Sequence, residues 1–302
     1  MEAWQKKAEL ALSEIRPQFQ VLMSELTTFK IGGPLDMLVE PRDIKELGSV
    51  LQFCRDEKLA WMVLGLGSNL LVRDKGIRGV GIRLAGEFES CEINEGRVYA
   101  GAGMKLADLA KQTAGQGLSG LEFACGIPGT VGGAVYMNAG AYDGEMAGVL
   151  EKVQSFDADQ GSVWYDQPDL NMGYRLSRFQ KSSQVITAVC LDLKPTEKES
   201  AEAKIAQLTC QRESKQPLEM PSAGSVFRRP AGYYVGPLIE QAGLKGFTIG
   251  GAQVSTKHAG FIVNVGGATS QDVLELIRYI QKDVKQKFEV ELIPEIKIIG
   301  EE

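Results

Sequence analysis

Residues 121–142 run Leu-Glu-Phe-Ala-Cys-Gly-Ile-Pro-Gly-Thr-Val-Gly-Gly-Ala-Val-Tyr-Met-Asn-Ala-Gly-Ala-Tyr, and no ordinary core segment needs that pattern. Loop glycines usually keep company with polar turn formers. Here Gly126, Gly129, Gly132, Gly133 and Gly140 interleave with apolar residues instead. Glycines leave backbone amides unscreened and accept φ > 0 without a Cβ penalty, and amides so exposed form anion-binding concavities. A second glycine-bearing turn, Gly65-Leu66-Gly67-Ser68-Asn69-Leu70, follows the apolar run Trp61-Met62-Val63-Leu64, which reads as a buried strand. Two such turns point to a large phosphate-bearing ligand held from two sides, a nucleotide or dinucleotide. Tight turns in a β-rich domain are the competing reading, and for the 65–70 turn alone the two stand level.

The common nucleotide fingerprints fit poorly. A G-x-G-x-x-G motif from Gly65 would need glycine where Leu70 stands, and the stretch Ile82-Arg83-Leu84-Ala85 lacks the acidic residue expected about twenty positions on. No G-x-x-x-x-G-K-[ST] run occurs. The single histidine, His258, excludes a histidine-rich metal site and a serine–histidine–aspartate triad in the first two-thirds of the chain. No metal is expected. With 33 basic against 39 acidic side chains and no basic block, nucleic acid is not an expected partner. No apolar stretch is long enough to span a membrane, and the N-terminus lacks the apolar core of a signal peptide. Five widely spaced cysteines without a C-x-x-C pair fit a reducing cytoplasm rather than a disulfide framework. Chemistry must then run on a cofactor and on Arg, Ser, Glu, Lys or Tyr.

Periodicity gives a mixed chain. Residues 2–24 read as a helix pair broken near Pro17, and 43–57 as an amphipathic helix. Strands are expected around 29–41 and at 61–65, 70–73, 79–84, 89–93, 97–101, 150–156 and 185–193, with a helix at 105–116. The run Lys-Pro-Thr-Glu-Lys-Glu-Ser at 194–200 marks a boundary and opens a charged helix to about 215. Helices at 234–242 and 270–287, the latter capped by Thr269 or Ser270, a strand at 260–264 and a closing strand at 290–299 follow. The class is α+β.

Six segments carry a family resemblance: Thr27-Thr28-Phe29-Lys30-Ile31-Gly32-Gly33, the 65–70 turn, the 126–142 run, Tyr174-Arg175-Leu176-Ser177-Arg178-Phe179, Pro221-Ser222-Ala223-Gly224-Ser225-Val226-Phe227 and Leu292-Ile293-Pro294-Glu295-Ile296. In this order they resemble the UDP-N-acetylenolpyruvoylglucosamine reductases of bacterial peptidoglycan synthesis, in the shorter subgroup. The resemblance implies a two-subdomain FAD-binding domain of the vanillyl-alcohol-oxidase (PCMH) type followed by a smaller α+β substrate domain. The implied boundaries are a 1–25 helical segment, a 26–195 FAD-binding domain (subdomains 26–85 and 86–195) and a 196–302 substrate domain. FAD would be non-covalent, since no histidine precedes 258. NADPH would be the hydride donor, and the UDP-sugar enolpyruvate the substrate. No obligate protein partner is implied. The associated roles are oxidoreductase, cell wall biogenesis, cell shape, cell cycle and division.

The resemblance also assigns residues. Arg175 would bind the carboxylate on which negative charge accumulates, for which its planar fork is suited. Ser225 would donate a proton to the enol carbon. Glu295 would stand beside the developing dianion, protonated or sharing a proton, because an ionised carboxylate there would repel it. The FAD contacts implied are Gly65, Gly67, Ser68, Asn69, Gly126, Ile127, Pro128, Gly129, Thr130, Gly132, Gly133, Asn138, Gly140 and Ala141. Tyr174, Arg228 and Arg229 are candidates for the substrate, the arginines for its diphosphate. His258 is expected to make a structural hydrogen bond, and Gly260 stands where many members carry Asn. The rival reading is an FAD-carrying electron-transfer subunit of a molybdenum hydroxylase, which would not need Arg175, Ser225 and Glu295 together.

Overall fold

The computed structural model describes residues 3–94 and 97–302, and within them the chain divides into two compact units. The first comprises 1–18, 37–65 and 80–212, and the second 19–36, 66–79 and 213–302. Of the expected 1–25 segment, residues 1 and 2 lie outside the described residues.

A five-stranded antiparallel sheet anchors the first unit, in the order Gly161–Asp166, Leu150–Asp157, Val185–Asp192, Arg97–Gly101, Cys91–Asn94. Its central strand, Val-Ile-Thr-Ala-Val-Cys-Leu-Asp, is buried at nearly every position, as a strand covered on both faces must be. The edge strand Gly161–Asp166 alternates half-buried with exposed residues. The helix Leu106–Gly115 turns Leu106, Leu109, Ala110 and Ala114 inward. The helix Ile44–Asp56 is capped by the Asp43 carboxylate, which accepts from the Glu46 amide at 2.7 Å. Beside it Trp61–Val63 pairs in parallel with Val80–Ile82.

The second unit carries the antiparallel sheet Ser222–Ser225, Phe261–Asn264, Ala252–Val254, Thr248–Ile249, with the helices Val235–Gln241 and Ser270–Phe288. Lys297–Ile299 pairs in parallel with Leu70–Val72. Its core gathers Phe29, Ile31 and Leu71 with Phe227, Ile239, Ile262, Leu276 and Ile280, side chains from three distant stretches of chain.

Two expectations need correction. The N-terminal helix pair is one helix, Ala3–Ala11, followed by the strand Gln18–Leu22 and a single turn, Met23–Leu26. After Pro17 the more buried residues Phe19 and Val21 recur every second position, the strand period. The closing strand is only Lys297–Ile299. Ahead of it Pro294 has no N–H for a continuous ladder, and the pairing there shrinks to an isolated bridge with Phe227. The other expected helices and the strand 97–101 fall within a few residues of their reading.

The long helix Ser270–Phe288 begins with a capping box: Thr269 Oγ1 accepts from the Asp272 amide, and the Asp272 carboxylate accepts from the Thr269 amide at 2.9 Å. The Thr269 amide, together with that of Gly251 at 3.2 Å, holds the Asp272 carboxyl below its usual range. Thr269→Ala should therefore lower unfolding stability by about 1 kcal/mol, measured as a shift in urea midpoint at unchanged m-value.

Candidate active site

The glycine run is strapped along a neighbouring segment of the first unit. Leu106 donates to the Gly129 carbonyl at 3.0 Å, Val131 to Met104 at 2.9 Å and Gly132 to Ala102 at 2.8 Å. Gly132 is required by that approach, since a Cβ there would lie 2.9 Å from the Ala102 Cβ. Gly65 closes on the same segment, its missing Cβ 2.9 Å from Thr130 Oγ1. Gly65 therefore meets the glycine run at Thr130. Gly67, at φ +63, belongs to the second unit, where a Cβ would press on the Leu26 carbonyl at 2.6 Å. Ser68 and Asn69 follow it there, and Asn69 accepts from the Lys297 amide at 2.9 Å.

The amides of Ile127, Val131, Gly132 and Gly133 are engaged, the last by Thr130 Oγ1 at 3.2 Å. Among the described residues no acceptor takes those of Gly126, Gly129 or Thr130. Around them Gly126, Ile127, Pro128, Gly129, Gly132 and Gly133 are half-buried or exposed, as are Gly140 and Ala141. A strip of unengaged N–H donors in a glycine-rich turn fits the phosphate-bearing part of FAD.

Asn138 does not fit that role. It is fully buried, its amide donates to the Gly173 carbonyl at 2.9 Å, and its carbonyl oxygen accepts from the Ala147 amide at 2.9 Å. The side chain is used to hold the protein together and presents nothing to a ligand. What it holds is the turn of Arg175. Gly173 and Leu176 exchange backbone hydrogen bonds of 3.0 Å, and Arg175 between them sits at φ +55, a left-handed conformation costly for a non-glycine residue. Gln180 donates to the Arg175 carbonyl at 3.0 Å and to Tyr136 at 2.8 Å, and buried Ser177 donates to Tyr136 at 2.8 Å. The Arg175 guanidinium reaches the Gly140 carbonyl at 3.2 Å and lies over the Tyr174 ring, 5.0 Å from its centroid. Tyr174 itself is 52% exposed, so it is no core tyrosine. Sequence reading missed Gln180, which carries no motif of its own, and gave no role to Ser177 within the 174–179 segment.

In the second unit Ser225 and Glu295 ride on adjacent backbone segments. The Glu295 amide donates to Val226 at 2.7 Å, the Arg228 amide to Ile293 at 2.9 Å, and Phe227 bridges Pro294. Ser225 Oγ lies 3.4 Å from the Phe227 carbonyl, and the Arg229 guanidinium stacks 3.9 Å from the Tyr234 ring centre. Arg228 keeps its Nε buried without a hydrogen-bond partner. Arg175 belongs to the other unit.

His258 is structural, as expected. Its Nδ1 accepts from the Gly260 amide at 3.1 Å and its ring meets Phe261 edge-on. A Cβ at 260 would come 2.9 Å from the imidazole Cε1, which accounts for glycine at that position. No cluster of potential metal ligands exists among the described residues, and no helix is long and apolar enough to cross a membrane.

Comparison with known proteins matches residues 35–163 to the family described as FAD binding domain, and residues 216–299 to the UDP-N-acetylenolpyruvoylglucosamine reductase C-terminal domain. Fold and matches define an FAD-dependent oxidoreductase of the PCMH type. A UDP-N-acetylenolpyruvoylglucosamine reductase of Syntrophomonas wolfei is 47% identical over 93% of this chain and 94% of its own. Its counterpart from Clostridium beijerinckii is 45% identical over 96% of this chain and 95% of its own. The crystal structure of the Thermus caldophilus reductase superposes with a TM-score of 0.81 at 40% identity, covering 93% of this chain and 98% of that one. The chain belongs to the UDP-N-acetylenolpyruvoylglucosamine reductase family.

Two outcomes are expected from this geometry. Gly132→Ala should cost about 1–3 kcal/mol through its clash with Ala102, while Gly133→Ala, whose Cβ would meet only Thr130 Oγ1 at 3.4 Å, should leave the melting temperature nearly unchanged. Burial lowers the His258 pKa below 6.5, so the unfolded chain binds that proton more readily than the folded one. Stability should fall as pH drops below about 6.5, and His258→Gln should flatten that part of the pH profile of the melting temperature.

Proposed function

We infer that the chain catalyses the NADPH-dependent, FAD-mediated reduction of the enolpyruvyl ether of UDP-N-acetylglucosamine-enolpyruvate to UDP-N-acetylmuramate, a step of cytoplasmic peptidoglycan precursor synthesis. The observation that carries this is near-full-length similarity to reductases of that name at 45–47% identity. The adjacency of the Ser225 and Glu295 segments supports it. The division of labour follows the sequence reading: 26–195 for the cofactor, 196–302 for the substrate, with 1–25 leading in.

The Gly126–Thr130 amides and the Gly65–Asn69 turn would hold FAD, which when bound would supply hydride chemistry with NADPH as the reductant. The protein's own groups manage charge and protons. Arg175, its backbone fixed before substrate arrives, offers a planar pair of donors to the substrate carboxylate. A donor placed in advance strengthens as charge grows and needs no reorganisation. Ser225 delivers the proton to the enol carbon. Glu295, protonated or sharing a proton, gives the developing dianion a hydrogen bond. Arg228 and Arg229 meet the diphosphate and Tyr174 packs on the substrate. A non-covalent, yellow, acid-releasable flavin accompanies this reading.

Anaerobic stopped-flow mixing tests it in halves. In the wild type, NADPH should bleach the flavin and the enolpyruvyl nucleotide sugar should restore its absorbance. Ser225→Ala should leave bleaching nearly intact and slow the return about 10²–10⁴-fold, the range for losing a positioned general acid. Glu295→Gln should slow the return less than Glu295→Ala. Equal slowing of both halves by Ser225→Ala would remove the proton-donor assignment, and a flavin that the sugar never reoxidises would remove the function.

A further inference from the structure

Arg212 is a cation built into the first unit with no anion beside it among the described residues. It lies in the last turn of the helix Lys198–Lys215, and that helix is docked onto the glycine run. Cys125 Sγ lies 3.9 Å from the Ile205 carbonyl and 3.8 Å from Thr209 Oγ1, while the Tyr142 hydroxyl donates to the Leu208 carbonyl at 3.4 Å. Tyr142 and Asp143 both hold positive φ, 50° and 64°, so the loop that makes this contact is strained. The docking brings the Arg212 side chain against Gly126: a Cβ there would sit 2.6 Å from Cδ and 3.3 Å from both Nε and Nη1.

The guanidinium lies largely out of water, yet its Nε has no hydrogen-bond partner. Burial pulls its pKa down, and the ionisable groups that bear on it are the Tyr142 phenol and the Cys125 thiol, neither a carboxylate. The carbonyl end of its helix offers only a partial negative charge. A desolvated ion without a counter-charge is costly to the fold, and glycine at 126 is what admits it. The amide of Gly126, against which it lies, is unengaged, as are those of Gly129 and Thr130 further along the same run. Cation and amides together ask for one anion or acceptor oxygen.

We propose that Arg212 is a cofactor-binding residue, its guanidinium closing the glycine cradle by pairing with an acceptor oxygen of the flavin nucleotide. The inference rests on the flavin reading above and adds a residue to it. The oxygen belongs either to the diphosphate or to the flavin ring, and one binding series separates the two.

The series measures equilibrium binding of FAD and of riboflavin to flavin-free wild type, Arg212→Met and Arg212→Lys, by quenching of flavin fluorescence, with apoprotein melting temperatures alongside. Arg212→Met should weaken FAD binding roughly tenfold to hundredfold, the loss of one or two charge-assisted hydrogen bonds. Arg212→Lys should fall between. The Arg212→Met apoprotein should melt no lower than wild type, because an unpaired buried charge has been removed. Riboflavin affinity unchanged by Arg212→Met assigns the oxygen to the diphosphate, and riboflavin weakened in the same proportion as FAD assigns it to the ring. Unchanged FAD affinity in the folded Arg212→Met protein overturns the inference. So does an equal loss of FAD affinity and of melting temperature in both variants, the mark of a residue that only packs. Wild type that binds no flavin would instead sink the function itself.

Discussion

The backbone pairing of residues 129–132 with 102–106 is the constraint on which the first unit depends. It brings the glycine run alongside the sheet, sets Thr130 to cap the short helix Val131–Tyr136, and leaves Gly126, Gly129 and Thr130 with amides to offer. Glycine serves two separate ends here. At 132 it admits a neighbouring chain, and at 126 it admits an arginine. The walls of this cradle are backbone already held by hydrogen bonds to residues 102–106. The cradle therefore costs little reorganisation when a cofactor enters.

A second constraint holds the turn of Arg175 in the first unit. Arg175 keeps a left-handed backbone only because Asn138, Ser177 and Gln180 fasten the turn around it from Gly173 to Tyr136. Strain of this sort persists where surrounding structure over-determines it. A guanidinium with a fixed origin can then aim at one carboxylate, where one on a loose loop would sample many. Binding energy goes to the transition state when the donor is already in place.

Much of the architecture was legible from the chain alone. The strand Arg97–Gly101, the helices Ile44–Asp56 and Leu106–Gly115 and the Thr269 cap follow from period, burial and capping chemistry that each segment carries by itself. The glycine run stands out in the chain for its unscreened backbone, and the candidates Arg175, Ser225 and Glu295 come from the resemblance alone. What the chain concealed depends on distant partners. Asn138, a polar residue among glycines, reads as a ligand contact, yet the carbonyl of Gly173 and the amide of Ala147 claim it. Arg212 reads as one charge on a charged helix until Gly126 is found against it. The strand Gln18–Leu22 was lost because a proline break inside an apolar stretch fits a helix pair as well as a helix and strand.

The hydrophobic interior of the second unit takes Phe29, Ile31 and Leu71 from the first quarter of the chain and closes them with residues as late as Ile296. Such a core cannot assemble in the order of synthesis. Those early side chains must wait on the ribosome until nearly the whole polypeptide has emerged, and the closing of such long loops is slow. A nascent chain stalled late would display apolar surface with its complement still untranslated. The last hundred residues expressed alone would lack part of their own interior.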